Sequence, residues 1–165
     1  MDVQPYKSTL ENEEYQPPQV VPLFALVGFA LTGVMGGIAL ANQTYILAST
    51  LILVSCVFFI AYYVFNKYNN IALSSAISLY SLSFLMLYLV FTGGVEGTGP
   101  LWIYVVPPVS LFFHGLRRGL IETIVFIAAC AMVMFVPTDF VLHAQYSLEF
   151  KLRLIYSFLT VTFLS

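Results

Sequence analysis

The run VVPLFALVGFALTGVMGGIALA, residues 20–41, carries no charged side chain, and its reading decides the class of fold. It matches the roughly 20 apolar residues that a helix needs to cross about 30 Å of hydrocarbon. Asn42-Gln43-Thr44 makes a tight turn after it, and a second run covers 45–65, stopping at the polar cluster Asn66-Lys67-Tyr68-Asn69-Asn70. A third covers 71–91. Unbroken apolar runs of this length indicate α-helical spans, because a transmembrane barrel would alternate apolar and polar positions in short segments.

Composition points the same way. Residues of the AVILMFWYC class make up 60% of the 165 positions and charged residues only 8%, against about 25% charged in globular domains. So few charges cannot cover a soluble surface. The net charge of -2 comes mostly from the N-terminus, where Asp2, Glu11, Glu13 and Glu14 face Lys7. Residues 1–19 therefore read as a polar, acidic cytoplasmic tail; they lack the basic start and short apolar stretch of a secretory signal. No basic block occurs, which argues against nucleic acid as a partner. Cys56 and Cys130 lie inside apolar runs without CxxC or Cys/His spacing. They read as buried, inert thiols, and nothing indicates a metal or a cofactor.

The second half is less regular. Thr92 to Pro100 holds Gly93, Gly94, Gly97 and Gly99, four of the ten glycines, and is expected to be a structured loop or re-entrant turn. Residues 101–115 form a short fourth span, kinked at Pro107-Pro108, whose broken backbone neighbouring groups must satisfy. Arg117-Arg118-Gly119 ends it, and 120–136 make the fifth. Pro137-Thr138-Asp139 breaks that helix, 140–149 should lie at the interface, and a sixth run begins near Lys151. Residues 151–165 would rise only about 22 Å as a helix, so the sixth span is expected to continue beyond Ser165. The expected fold is an all-α, polytopic membrane bundle of about six transmembrane helices over residues 20–165.

Basic residues set the expected orientation. Lys67 marks the second connection and Arg117 and Arg118 the fourth, while the first and third carry no Lys or Arg. This places the N-terminus and the C-terminus in the cytoplasm. Lys151 and Arg153 depart from the rule and would pair with Glu149 or reach toward headgroups.

Few residues suggest chemistry. Glu122 follows Arg118 by four positions in the first turn of the fifth helix, which favours an i,i+4 pair over a proton relay. His114, near the cytoplasmic end of the fourth span, and His143, in the outer connection, lie too far apart to share a metal. No nucleophile–base pair, phosphate loop or HExxH motif is present, so no catalytic site is expected in this chain. The loop after the third span offers a carboxylate, free backbone N–H groups and an aromatic wall. Its candidate ligand-binding residues are Glu96, Thr98, Trp102 and Tyr104, joined by Pro107 and His114. Composition favours an interfacial aromatic belt for Trp102 and Tyr104. Small residues repeat every four positions in the first span, in the rows Gly28-Thr32-Gly36 and Gly33-Gly37-Ala41, and suit close helix packing within the chain or between two copies.

Residues 92–102, TGGVEGTGPLW, followed by Pro107-Pro108 and by Gly115-Leu116-Arg117-Arg118-Gly119, resemble the membrane-integral N-terminal sensor modules (MASE-like) of bacterial GGDEF diguanylate cyclases and, less often, histidine kinases. The resemblance covers about 91–120 and, elsewhere, span number and orientation. It implies a dimeric, multi-pass input module of the bacterial inner membrane. The signal would be a small molecule or a membrane state, and the cytoplasmic output domain, making cyclic-di-GMP, is absent from these residues. Pro108, Arg117, Arg118 and Glu122 would then serve signal relay and topology. A small transporter or channel subunit is the alternative, as is an anchor that merely dimerises an attached enzyme.

Overall fold

A computed structural model describes residues 20–94, 97–135 and 146–164. In chain order they form α1 (Val20–Ala41), α2 (Tyr45–Tyr68), α3 (Ile71–Thr92), a 3-10 helix (Gly99–Val105), α4 (Val106–Phe135) and α5 (Leu148–Leu164). No strand occurs among the described residues. Four helical units are long and apolar enough to cross a membrane: α1, α2, α3 and the continuous unit Gly99–Phe135. The N-terminal tail, Glu96, Asp139 and His143 lie outside the described residues.

The interior combines large apolar side chains such as Phe58, Leu79, Ile103, Met134 and Phe158 with small and hydroxyl residues, among them Ala25, Ala48, Ala61, Ser74 and Ser78, while Leu31, Val34, Val125 and Met132 face outward. Outside, lipid solvates large apolar side chains; inside, small residues let backbones approach. Cys56 accordingly faces outward, and only Cys130 is buried. An apolar flank does not bury a thiol when the outer surface is apolar too.

The first three helices end where the sequence places polar turns. Gln43 takes a left-handed φ of 59°, and the Thr44 hydroxyl donates to the Ala39 carbonyl at 2.9 Å, closing α1. Asn69, also left-handed, ends α2 by donating its N–H to the Phe65 carbonyl, and the Asn70 side chain caps α3 by accepting from the Leu73 N–H. Adjacent asparagines thus stop one helix and start the next.

The small-residue rows of α1 divide between two uses. A Cβ at Gly28 would stand 2.9 Å from the Phe58 ring, one at Gly33 3.2 Å from Ser55 Oγ and one at Gly36 3.0 Å from Ile52, all on α2, whereas Gly37 has open space. Between them the Ser55 hydroxyl donates to the Phe29 carbonyl at 2.9 Å, joining α2 to α1. The Ser74 hydroxyl joins α3 to α2 in the same way through Ala61.

Glycine also shapes the loop after α3. Gly93 caps the helix at φ 80°, and the Gly99 N–H donates to the Gly93 carbonyl at 2.9 Å. A Cβ at Gly99 would run into the Leu89 carbonyl oxygen. The returning chain lies directly on the end of α3, and only glycine allows that approach.

The position of the break in the fourth segment differs from expectation. Pro107 and Pro108 occupy the first turn of α4, where their missing N–H groups have no helical partner to lose. The helix type changes there, from 3-10 to α, but the axis breaks at Gly115, with φ 71° and ψ 174°. That conformation is essentially restricted to glycine. Past Gly115, α4 runs unbroken to Phe135. Boundaries elsewhere shift slightly: α2 extends to Tyr68, α3 to Thr92, and α5 begins at Leu148.

α5 docks through aromatic residues. Buried Phe158 lies between the Tyr104 ring, at 6.2 Å, and the Phe126 ring, at 6.1 Å. Near the start of α5 the Tyr146 hydroxyl donates to the Val90 carbonyl at 2.8 Å. Burial pushes its phenol up to about 12, so it remains the donor at neutral pH.

Candidate functional site

Ser110 and His114, four positions apart, share one face of the first limb of α4. Gly115 then reverses the chain. Over an unbroken helix Ser110 and Gly119 would stand about 13 Å apart, yet the Ser110 hydroxyl lies 3.1 Å from the Gly119 carbonyl. A Cβ at Gly119 would come within 2.7 Å of the Leu111 α-carbon. The two limbs of α4 therefore lie backbone against backbone, as a helical hairpin.

This reversal delivers Glu122 to the first limb. Its Oε2 lies 2.6 Å from His114 Nδ1 and 3.1 Å from Ser110 Oγ. Its Oε1 is held more loosely, at 3.4 Å from both Tyr80 Oη of α3 and Arg118 Nε. The His114 and Glu122 side chains are only 8% and 17% exposed, while that of Arg118 is 68% exposed. The tight partner of the carboxylate is thus the histidine, and Arg118 is a peripheral one. At 2.6 Å a single proton lies between Nδ1 and Oε2, whichever group carries it. The serine hydroxyl has one proton and two acceptors within reach, the carboxylate and the Gly119 carbonyl.

The end of the bundle that holds this turn is defined by packing. Val21 at the start of α1, Ile71 at the start of α3, Leu79 and Phe113 meet there. Lys67 in the last turn of α2 and Arg117 and Arg118 in the hairpin turn belong to the same end.

From the cluster a groove of about 420 Å3 runs between α3 and the second limb of α4. Tyr80, Ser110 and Glu122 form its polar end; Phe84, Leu87, Val125 and Phe126 line much of the remainder.

The structure brings His114, Arg118 and Glu122 together, and adds Ser110 and Tyr80, which the sequence did not single out. The loop candidates are dispersed. Thr98 is exposed, Trp102 is half-exposed on the outer surface, and Tyr104 turns toward Phe158. Pro107 is buried, Pro108 and Arg117 are exposed, and Glu96 is outside the described residues. Among the described residues no three His, Cys, Asp or Glu converge as metal ligands.

These features define an all-helical membrane protein with a polar cluster set in a glycine-hinged hairpin. Compared with protein-family models, curated proteins and solved structures, the chain matches none.

Proposed function

We propose that this chain is the membrane-embedded input module of a bacterial signal-transduction protein, working as a homodimer in the inner membrane and regulating a cytoplasmic diguanylate cyclase. The observation that carries this reading is Phe158, buried between Tyr104 of the 3-10 helix and Phe126 of α4. Through that side chain the loop after α3, the hinged hairpin and the last helix share one packing contact, so a shift in the hairpin repositions α5. Switching needs two packings separated by a few kcal/mol that a signal binds unequally. In this reading the Gly115 turn and the His114–Glu122 pair are the element that changes arrangement.

Within this reading the chain crosses six times, with both ends in the cytoplasm. The hairpin supports two passes in Gly99–Phe135. A 3-10 rise of about 2.0 Å per residue over 99–105, with 1.5 Å over 106–114, gives roughly 28 Å, close to the hydrocarbon thickness. Lys67, Arg117 and Arg118 at one end favour that end as cytoplasmic. Phe158→Ala in the full-length protein should alter the cyclic-di-GMP response while leaving membrane insertion intact; an unchanged response would sink the coupling. The native protein should also exceed the mass of 165 residues.

A second reading, a small transporter, draws on a half-buried carboxylate beside a broken helix. Proton or solute flux through reconstituted vesicles distinguishes it.

A further inference from the structure

The groove between α3 and the second limb of α4 has a chemistry that is asymmetric along its length. Eight of its lining residues are aliphatic or aromatic hydrocarbon, and its remaining polar groups are Tyr80, Ser83, Ser110 and Glu122. Glu122 is the only charged residue lining it among the described residues. We propose that this groove binds a single-chain amphiphile with an aliphatic ammonium head, seated against Glu122, and with its tail along Phe84, Leu87 and Phe126.

Three observations select that head group. Among the described residues the one charged side chain lining the groove is Glu122, whose Oε1 is paired from outside the lining by the exposed Arg118 at 3.4 Å, a partner an ammonium would displace. The carboxylate has an oxygen to offer: Oε2 is held tightly by His114 and Ser110, but Oε1 has partners only at 3.4 Å. An ammonium at Oε1 forms a short charge-assisted bond where the chain itself makes weak ones. The Tyr80 hydroxyl oxygen, 3.4 Å from Oε1, is a second acceptor within reach of the same ammonium. A fatty-acid carboxylate in the same place would meet the Glu122 charge at close range, with only the exposed Arg118 to offset it. The tail gains from the apolar wall chiefly through packing, because bilayer lipid is itself apolar. Specificity therefore lies at the head.

This deepens the sensory reading by naming the ligand class of the same cluster. Binding is read without any output, so the two ideas fail separately. The probe is a twelve-carbon alkylamine carrying a chain diazirine, applied to the full-length protein in native membranes, with the matched fatty acid as control. Photolabel on α3 and the second limb of α4, displaced by unlabelled dodecylamine, is the expected result. Glu122→Gln should reduce it at least about tenfold, the loss of one charge-assisted contact. Ala129→Phe, which fills the groove and leaves the cluster intact, should abolish it. Equal labelling by the fatty acid, or labelling unaffected by both substitutions, would overturn the site and leave a groove occupied by membrane acyl chains only. Specific labelling with no change in cyclic-di-GMP output would uphold the site and overturn the sensory role.

Discussion

His114 Nδ1 lies 2.6 Å from Glu122 Oε2, although eight residues and a reversal of the chain separate them. The pair exists only because Gly115 lets α4 fold back on itself. In a membrane bundle, where burying a lone charge is expensive, each side chain makes the other tolerable.

The first expectation concerns that mutual dependence. His114→Ala leaves Oε2 with Ser110 alone, and Glu122→Gln removes the charge that orients the imidazole. Each should lower stability by roughly 1–3 kcal/mol. The double variant should lose less than the sum, with a coupling energy of about 0.5–3 kcal/mol. Thermal unfolding in mild detergent, followed by the fluorescence of Trp102, measures it. Strictly additive losses would show that the two side chains act independently.

The hairpin itself rests on two glycines for different reasons. Gly115→Ala forces a side chain into a glycine-only conformation, a strain of about 1–3 kcal/mol. Gly119 is in ordinary helix, but its Cβ would sit 2.7 Å from both the Leu111 α-carbon and the Ser110 carbonyl oxygen. Neither obstacle is a flexible side chain, so Gly119→Ala must push the limbs apart. It should also break the Ser110 bonds to Gly119 and Glu122. Equal, negligible losses in the same unfolding assay would contradict the close limb contact.

Neighbouring glycines of α1 should behave oppositely. Gly36→Val meets Ile52 at 3.0 Å in the α1–α2 interface and should destabilise by about 1–3 kcal/mol, as overpacking does. Gly37→Val meets nothing within 4 Å and should leave the monomer's unfolding temperature nearly unchanged. If Gly37→Val instead shifts the protein from dimer to monomer in detergent, that strip of α1 is part of the interface between copies.

Parts of this architecture were readable in advance and parts were not, for physical reasons. The first three helices follow from uninterrupted apolar runs, and their ends from Gln43, Asn69 and Asn70, residues that tolerate left-handed or capping geometry. The fourth segment misled because a proline breaks a helix only from its interior; Pro107 and Pro108 sit in a first turn, and the reversal falls on Gly115. The site was half legible. The pairing of Glu122 with Arg118 is legible because i,i+4 neighbours lie along one helix. Its closer partner depends on where the chain turns. With the turn placed at Gly115, Leu111 and Gly119 become equidistant from it, and Ser110, His114 and Glu122 come together. Tyr80 arrives from 42 residues away, and only tertiary packing reveals it.

The last prediction tests the six-pass arrangement, in which the hairpin turn and the α1–α2 turn face opposite sides. Asn42 and Arg117 are both exposed at turns, so a cysteine at either place is accessible without disturbing the core. The native thiols are replaced first, because Cys56 lies on the outer surface of the bundle. A membrane-impermeant maleimide should then label Asn42→Cys in intact spheroplasts and Arg117→Cys only after the membrane is opened. If both react from outside, the unit Gly99–Phe135 crosses once or not at all. The cluster around Glu122 would then face the exterior, where a soluble ligand reaches it without entering the bilayer. If the two label from opposite sides, the cluster lies at the cytoplasmic end of the bundle. Its ligand must then come through the lipid or from the cytoplasm, as an amphiphile held in the α3–α4 groove would.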